Sequence, residues 1–249
     1  MLDGLDLLLI LGGAGAGFVN TVAGGGSALT LPLLMLTGLD ARDANATNRI
    51  AVVLQGASGA WTFHQRGMRP WQETWRILPA SLLGAAIGAG LATVMPPLAL
   101  ERLFGVVFLS LAVVMIGRPT WIIPAVPEGE AQPTWRGHLA FFGIGLYGGL
   151  FQAGVGIALL IVIVRSLHVD LVRATAVKVA LVLIYTLVAL AIFAWRGHLD
   201  WHRGLVLAAG SAVGSVVGVR MALRSGAKFI RVMVTLALLA ASARTLGLF

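Results

Sequence analysis

Apolar residues fall into eight blocks along the chain, at roughly 5–37, 47–64, 75–95, 99–117, 135–165, 172–195, 203–222 and 228–247. Leu7 to Leu39, Ile77 to Leu100 and Gly137 to Val164 contain no Asp, Glu, Lys or Arg. A helix crosses the hydrocarbon of a bilayer with roughly 20 such residues, so the blocks predict membrane-spanning helices. The first and fifth are longer than one crossing. Each is interrupted by glycine and polar residues, in "GFVNTVAGGGSALTLP" at 17–32 and "YGGLFQAGVG" at 147–156. A broken backbone at membrane depth survives only where protein buries it or a polar cavity receives it.

Composition agrees with this pattern. The 249 residues are 58% apolar and 11% charged, against about 25% charged in soluble domains. The first block is too long and too apolar at both ends for a cleaved signal, and it opens with Asp3 and Asp6 rather than Lys or Arg. The net charge is +8, and 16 of the 18 bases are Arg. No basic aromatic platform accompanies them, which argues against nucleic acid as a partner. Most fall at block ends, where they meet lipid phosphates and set topology. With no cysteine, disulfide and thiol chemistry are excluded.

The stretch "RPTWIIPAVPEGEAQP" at 118–133 carries four prolines and reads as a linker. It separates residues 1–117 from 135–249, with 118–134 between them. Sliding the chain on itself in one constant register lays Gly17 on Gly145, Gly26 on Gly154, Ala46 on Ala174 and Thr47 on Thr175. With a small further shift, "RGMRPW" at 66–71 lies on "RGHLDW" at 196–201. The expected fold is an all-α polytopic membrane protein of two homologous halves, each a glycine-broken segment plus three transmembrane helices. If each long block crosses once, the halves are parallel. If each is a re-entrant hairpin, they are inverted, and 12 of the 18 bases gather on one side. That stronger bias favours the inverted arrangement, and both arrangements place the N- and C-termini outside.

Candidate site residues cluster at the two breaks and at the block that follows each. Gly24, Gly25 and Gly26, flanked by Asn20, Thr21 and Ser27, bare their backbone groups. Ser27 is placed to cap the next helix, whose free N–H groups and positive dipole end suit an anion. Gln152 and Gly154 mark the second break. "DANATNR" at 43–49 opens the second block, with Asp43 or Asn45 as cap and Thr47, Asn48 and Arg49 in its first turns. "RATAVK" at 173–178 supplies Thr175 and Lys178. Arg49 and Lys178 either snorkel to lipid phosphates or face an anion. Gly12, Gly13, Gly15 and Gly17 read as packing residues. No histidine pair has metal-ligand spacing apart from His198 and His202 in a loop, so no metal site or other cofactor is expected. Ser27 lacks the glycine two residues on that a nucleophile elbow needs, since Leu29 stands there. An enzyme is not expected.

Taken together, "GFVNTVAGGGSALTLPLL" at 17–34, "ANATNR" at 44–49 and the echo "GLYGGLFQAGVG" with "RATAVK" resemble the TauE/SafE sulfite exporter family, in particular its bacterial permease group. The likeness covers nearly the whole chain. It departs where Gln152-Ala153 stands for Gly24-Gly25, and Ala176 for Asn48. The resemblance implies a multi-pass inner-membrane transporter of a small anion, often sulfur-containing, such as sulfite or an organosulfonate. The alternative is a channel or structural membrane protein whose glycines serve helix packing only. The partners expected are the anion and the bilayer. Nothing in the chain fixes an oligomeric state.

Overall fold

The computed structural model describes residues 4–100, 102, 103, 106 and 133–245. Among them all regular structure is helical: α1 (Gly4–Val22), α2 (Ser27–Leu36), α3 (Ala41–Gln65), α4 (Trp71–Val94), α5 (Trp135–Leu150), α6 (Val155–Leu167), α7 (Leu171–Trp195) and α8 (Trp201–Thr245). Helical backbone also resumes at 97–100. The rest of the fourth block and the linker lie outside the described residues, except for Pro133 and Thr134. Among the described residues, four helices are long and apolar enough to cross a membrane: Gly4–Val22, Trp71–Val94, Leu171–Trp195 and Trp201–Ile230. Large apolar side chains such as Leu7, Leu11, Leu83 and Leu91 are exposed, and Trp61, Trp75, Trp135, Trp195 and Trp201 stand outward near helix ends. This is the surface of a protein solvated by lipid.

Local signals set the boundaries. Asp40 accepts the Asp43 N–H at 2.8 Å and caps α3. Asp170 accepts from Val172 and Arg173 at 2.8 and 3.0 Å and caps α7. The cap of α3 is therefore neither Asp43 nor Asn45, and the helix begins well before its apolar block. Its first turns are polar and face protein, which a hydropathy pattern cannot register. The cap of α2 is likewise Gly26, with Ser27 the first helical residue. The matching caps Asp40 and Asp170 place α3 and α7 in a register slightly longer than the one expected from the glycines and the Ala-Thr pairs. Asn48 then stands level with Lys178, and Asn45 with Thr175.

The long blocks are hairpins. Leu5, Asp6 and Leu9 of α1 share a cavity of about 220 Å³ with Thr37, just past α2, and with Asp200, His202 and Arg203. The start of α1 and the end of α2 therefore lie together, with the start of α8. Asp43 and His198 meet at 3.0 Å at this same end, which brings in the start of α3 and the end of α7. α5 and α6 behave alike at the opposite end, where Gly137 lies beside Ser166. Here Arg173 pairs with Glu73 at 2.7 Å and donates to the Arg69 carbonyl at 3.1 Å.

α1 with α8, and α4 with α5, run side by side in the same direction. Glycines bring their backbones into contact. A Cβ on Gly17 would sit 2.2 Å from the Ser211 carbonyl oxygen, and one on Gly145 would sit 2.2 Å from that of Ser81. Gly13 also packs on the α8 backbone and Gly12 on Leu33, whereas a Cβ on Gly15 would meet nothing within 4 Å among the described residues. Small residues drive helix association where lipid removes the hydrophobic incentive. α3 and α7 are buried for most of their length between these pairs. In α8, Gly226 interrupts the helix (φ 66°), and Phe229 returns to set its ring edge-on to Phe18, centroids 6.3 Å apart.

Candidate functional site

Both breaks lie in the interior and touch each other. In the first, the Val19 carbonyl accepts from Ala23 and Gly24 at 2.7 and 3.1 Å, and Gly24 takes φ +87°. A Cβ on Gly24 would lie 2.4 Å from the backbone of Gly156, and one on Gly156 would lie 2.4 Å from Gly24. Only glycine in both hairpins permits this approach. In the second break the left-handed positions are Gln152 (φ 61°) and Gly154 (φ 72°). A glutamine held there stores on the order of 1–3 kcal/mol of backbone strain.

The last carbonyls of α1 and α5 lie where each helix stops and carry the negative end of the helix dipole; that of Gly148 also accepts the Gln152 N–H at 3.1 Å. Both sets are met by cations from the opposite half of the chain. Lys178 of α7 donates its Nζ to the carbonyls of Asn20 (3.1 Å) and Thr21 (2.7 Å). Arg49 of α3 donates Nη1 to Gly148 (2.6 Å) and Nη2 to Gly149 (2.7 Å). Asn45 completes the second set by donating to Leu150 at 2.8 Å. Arg49 also donates to Oε1 of Gln152 at 2.5 Å, and its guanidinium lies 5.5 Å from the centroid of the Phe193 ring. Arg49 is 0% and Lys178 2% exposed. Neither side chain snorkels to the lipid surface.

Between the hairpins is a small cavity of about 10 Å³, lined by Asn20, Gln55, Gln152, Lys178, Val52 and Val182 among others. That is room for about one water. Asn20 donates to Gln55 at 3.3 Å. Among the described residues no Asp or Glu lines the cavity. Beside it, the Thr30 hydroxyl donates to the Asn48 Oδ1 at 2.7 Å. The Asn48 Nδ2 and the Ser27 Oγ are buried with no partner among the described residues. The polar lining is thus one ammonium and three amides, those of Asn20, Gln55 and Gln152, each with donors and an acceptor.

The structure separates the expected residues into those at the centre and those turned away. Asn20, Gln152 and Lys178 line the cavity, Arg49 reaches it through Gln152, and Gly24 forms the contact between breaks. Gly25 and Gly26 hold the turn into α2, their carbonyls accepting from Ala28 (3.1 Å) and Leu29 (2.9 Å). Gly154 caps α6. Three hydroxyls do not face the cavity. Thr21 donates to Ser215 Oγ at 2.8 Å, Thr47 accepts from the Asp200 N–H at 3.0 Å, and Thr175 donates to the Leu171 carbonyl at 2.7 Å. Gln55, Asn45 and Gly156 hold places that the sequence pattern did not assign. Gln55 had a signal, because it stands two helical turns after Asn48 and therefore on the same face of α3.

Long apolar helices packed around two buried, opposed hairpins define a polytopic membrane protein. The chain belongs to the sulfite exporter TauE/SafE family, whose model it matches over residues 9–245. It is similar to a "probable membrane transporter protein" of Haemophilus influenzae, 27% identical over 94% of this chain and 92% of the relative. A protein of Sinorhizobium sp with the same description, designated ORF9, is 26% identical over 93% and 88%. The Escherichia coli K12 protein described as probable membrane transporter protein YfcA is 27% identical over 93% and 86%. No solved structure matches. The protein is a multi-pass membrane transporter.

Proposed function

We propose that this protein carries a small anion, of the sulfite or organosulfonate kind, across the bacterial inner membrane through the cavity between the two breaks. The observation that carries this reading is the meeting of two broken hairpins at a buried, carboxylate-free centre that holds Lys178 and, through Gln152, Arg49. Cations at membrane depth mark substrate paths. The free donors of Ser27 and Asn48, next to the N-terminal end of α2, suit an oxyanion. The family name supports sulfur oxyanions. Transport, not catalysis, is the activity proposed.

The two halves are read as inverted repeats. Supporting this, α1 and α5 start at opposite ends of the bundle, and α2 and α6 begin at Ser27 and Val155, in the register that lays Gly26 on Gly154. Inverted repeats with discontinuous helices at the midplane are a recurring transporter plan, and rocking of one half on the other gives alternating access. Arg66, Arg69, Arg76, Arg136, Arg165 and Arg173 belong to the end where α5 starts. The positive-inside rule makes that end cytoplasmic and puts the N- and C-termini outside. The centre has room for about one water and not for a four-atom anion, so carriage requires the hairpins to part.

The test is flux into proteoliposomes for sulfite, thiosulfate, sulfoacetate and small carboxylates. Saturable flux of at least one sulfur oxyanion is expected, with loss in Lys178→Met. Absence of flux for every anion, in protein shown to be folded, overturns the reading.

A further inference from the structure

The two cations hold equivalent carbonyls, since the register that lays Gly17 on Gly145 also lays Asn20 on Gly148 and Thr21 on Gly149. Their chemistry differs in one respect. A guanidinium is never deprotonated in proteins, whereas an ammonium can lose its proton. Arg49 is further fixed by a fork of contacts to Gly148, Gly149, Gln152 and Asn45, the last at 3.3 Å. Among the described residues Lys178 has two carbonyl partners, and it lines the cavity. The first hairpin is thus held by a charge that can be removed, and the second by one that cannot.

Among the described residues no charged group competes for this role. Among the described residues Lys178 is the one ionisable group lining the cavity, and Arg42 and His64 of α3 and His138 of α5, near their helix ends, do not line it. On α3, Arg49 is committed to α5, and Asp43 pairs with His198. On α4, Glu73 pairs with Arg173. On α5, Tyr147 donates to the Ala153 carbonyl. On α1 and α8, Asp6 pairs with His202, and Arg203 pairs with Asp200. Arg165 of α6, and Arg220, Arg224 and Lys228 of α8, are exposed. Tyr185, on α7 itself, packs its hydroxyl against Gly148.

We infer that Lys178 is the coupling-ion site of the transporter: a proton bound at Nζ clamps the α1–α2 hairpin shut through the carbonyls of Asn20 and Thr21, and its loss releases that hairpin while Arg49 keeps the α5–α6 hairpin in place. The step is Lys178–NH₃⁺ giving Lys178–NH₂ and one proton, which leaves to water on the side to which the cavity opens. A neutral amine donates hydrogen bonds about half as strong as a charged one, and it no longer offsets the dipole end of α1. An anion in the cavity favours the protonated amine, and by linkage the proton favours the anion. Anion and proton therefore travel together, one proton per cycle. The inference deepens the transport reading and takes its substrate class from it.

Hydrogen exchange on the full chain in lipid nanodiscs tests the clamp without any substrate. Protection is followed from about pH 6 to about pH 10, a range ending near the ordinary lysine value, and corrected for intrinsic exchange. Residues 19–27 should lose at least about tenfold in protection as pH rises, while 147–154, held by Arg49, should not change. In Lys178→Arg the loss over 19–27 should disappear. Equal behaviour of the two segments in wild type, flat or falling, overturns the inference, and so does a pH-dependent loss that persists in Lys178→Arg. If the clamp titrates as expected but no anion is carried, the transport reading fails and the clamp stands.

Discussion

Arg49 and Lys178 perform one task on opposite hairpins: each reaches out of its own half to hold two carbonyls at the broken end of the other half's first helix. The carbonyls held are equivalent positions of the two halves, and the cations holding them stand one position out of that register. In lipid, where an unmet backbone carbonyl costs several kcal/mol, this crossed arrangement makes each half a structural requirement of the other.

Replacing Arg49 tests that dependence. A lysine at position 49 supplies charge but cannot reach Gly148, Gly149 and Gln152 together. Loss of one charged hydrogen bond costs about 2 kcal/mol. Arg49→Lys should therefore lower the thermal midpoint of the purified protein, and Arg49→Met should yield little folded protein. Unchanged melting of Arg49→Lys would show that the fork adds nothing.

Gly24 is predicted to tolerate no side chain. Its φ of +87° adds roughly 1–2 kcal/mol for any L-residue, and its Cβ would meet Gly156 at 2.4 Å. Backbone must shift for the substitution to fit. Gly24→Ala should reduce the yield of folded protein by size-exclusion fluorescence, and Gly156→Ala should do the same although its φ is ordinary. A neutral result for both would place the two breaks further apart than this fold has them.

Gln152 combines strain with a contact. Gln152→Gly removes on the order of 1 kcal/mol of left-handed strain and also a hydrogen bond of about 1.5 kcal/mol or more to Arg49. The two nearly offset each other. Melting should shift little while anion flux falls, because Arg49 loses its link to the cavity. A large drop in stability with flux retained would reverse the assignment.

Thr47 and Thr175 provide the negative controls. Their hydroxyls bond to the Asp200 N–H and the Leu171 carbonyl. Thr175→Val and Thr47→Val should leave flux per folded molecule unchanged. The second should cost about 1 kcal/mol of stability for the lost loop contact. Loss of flux in either variant would return these hydroxyls to the anion path.

Much of this protein was legible in its sequence. Long uncharged runs dictate membrane-spanning helices because the bilayer offers no other partner for backbone groups. "VAGGGS" and "QAG" announce breaks because glycine is what a left-handed turn or a backbone contact requires. Arg49 and Lys178 stood out as cations too deep for comfort. What the cations touch was not legible. Lys178 reaches Thr21, and Arg49 reaches Gly149, from the far half of the chain, and no local propensity records a contact of that length. Tertiary packing alone turned Thr21, Thr47 and Thr175 away from the cavity and brought Gly24 onto Gly156. It also folded each long block back to the end of the bundle where it began, which hydropathy cannot distinguish from a single crossing because both bury the same apolar residues.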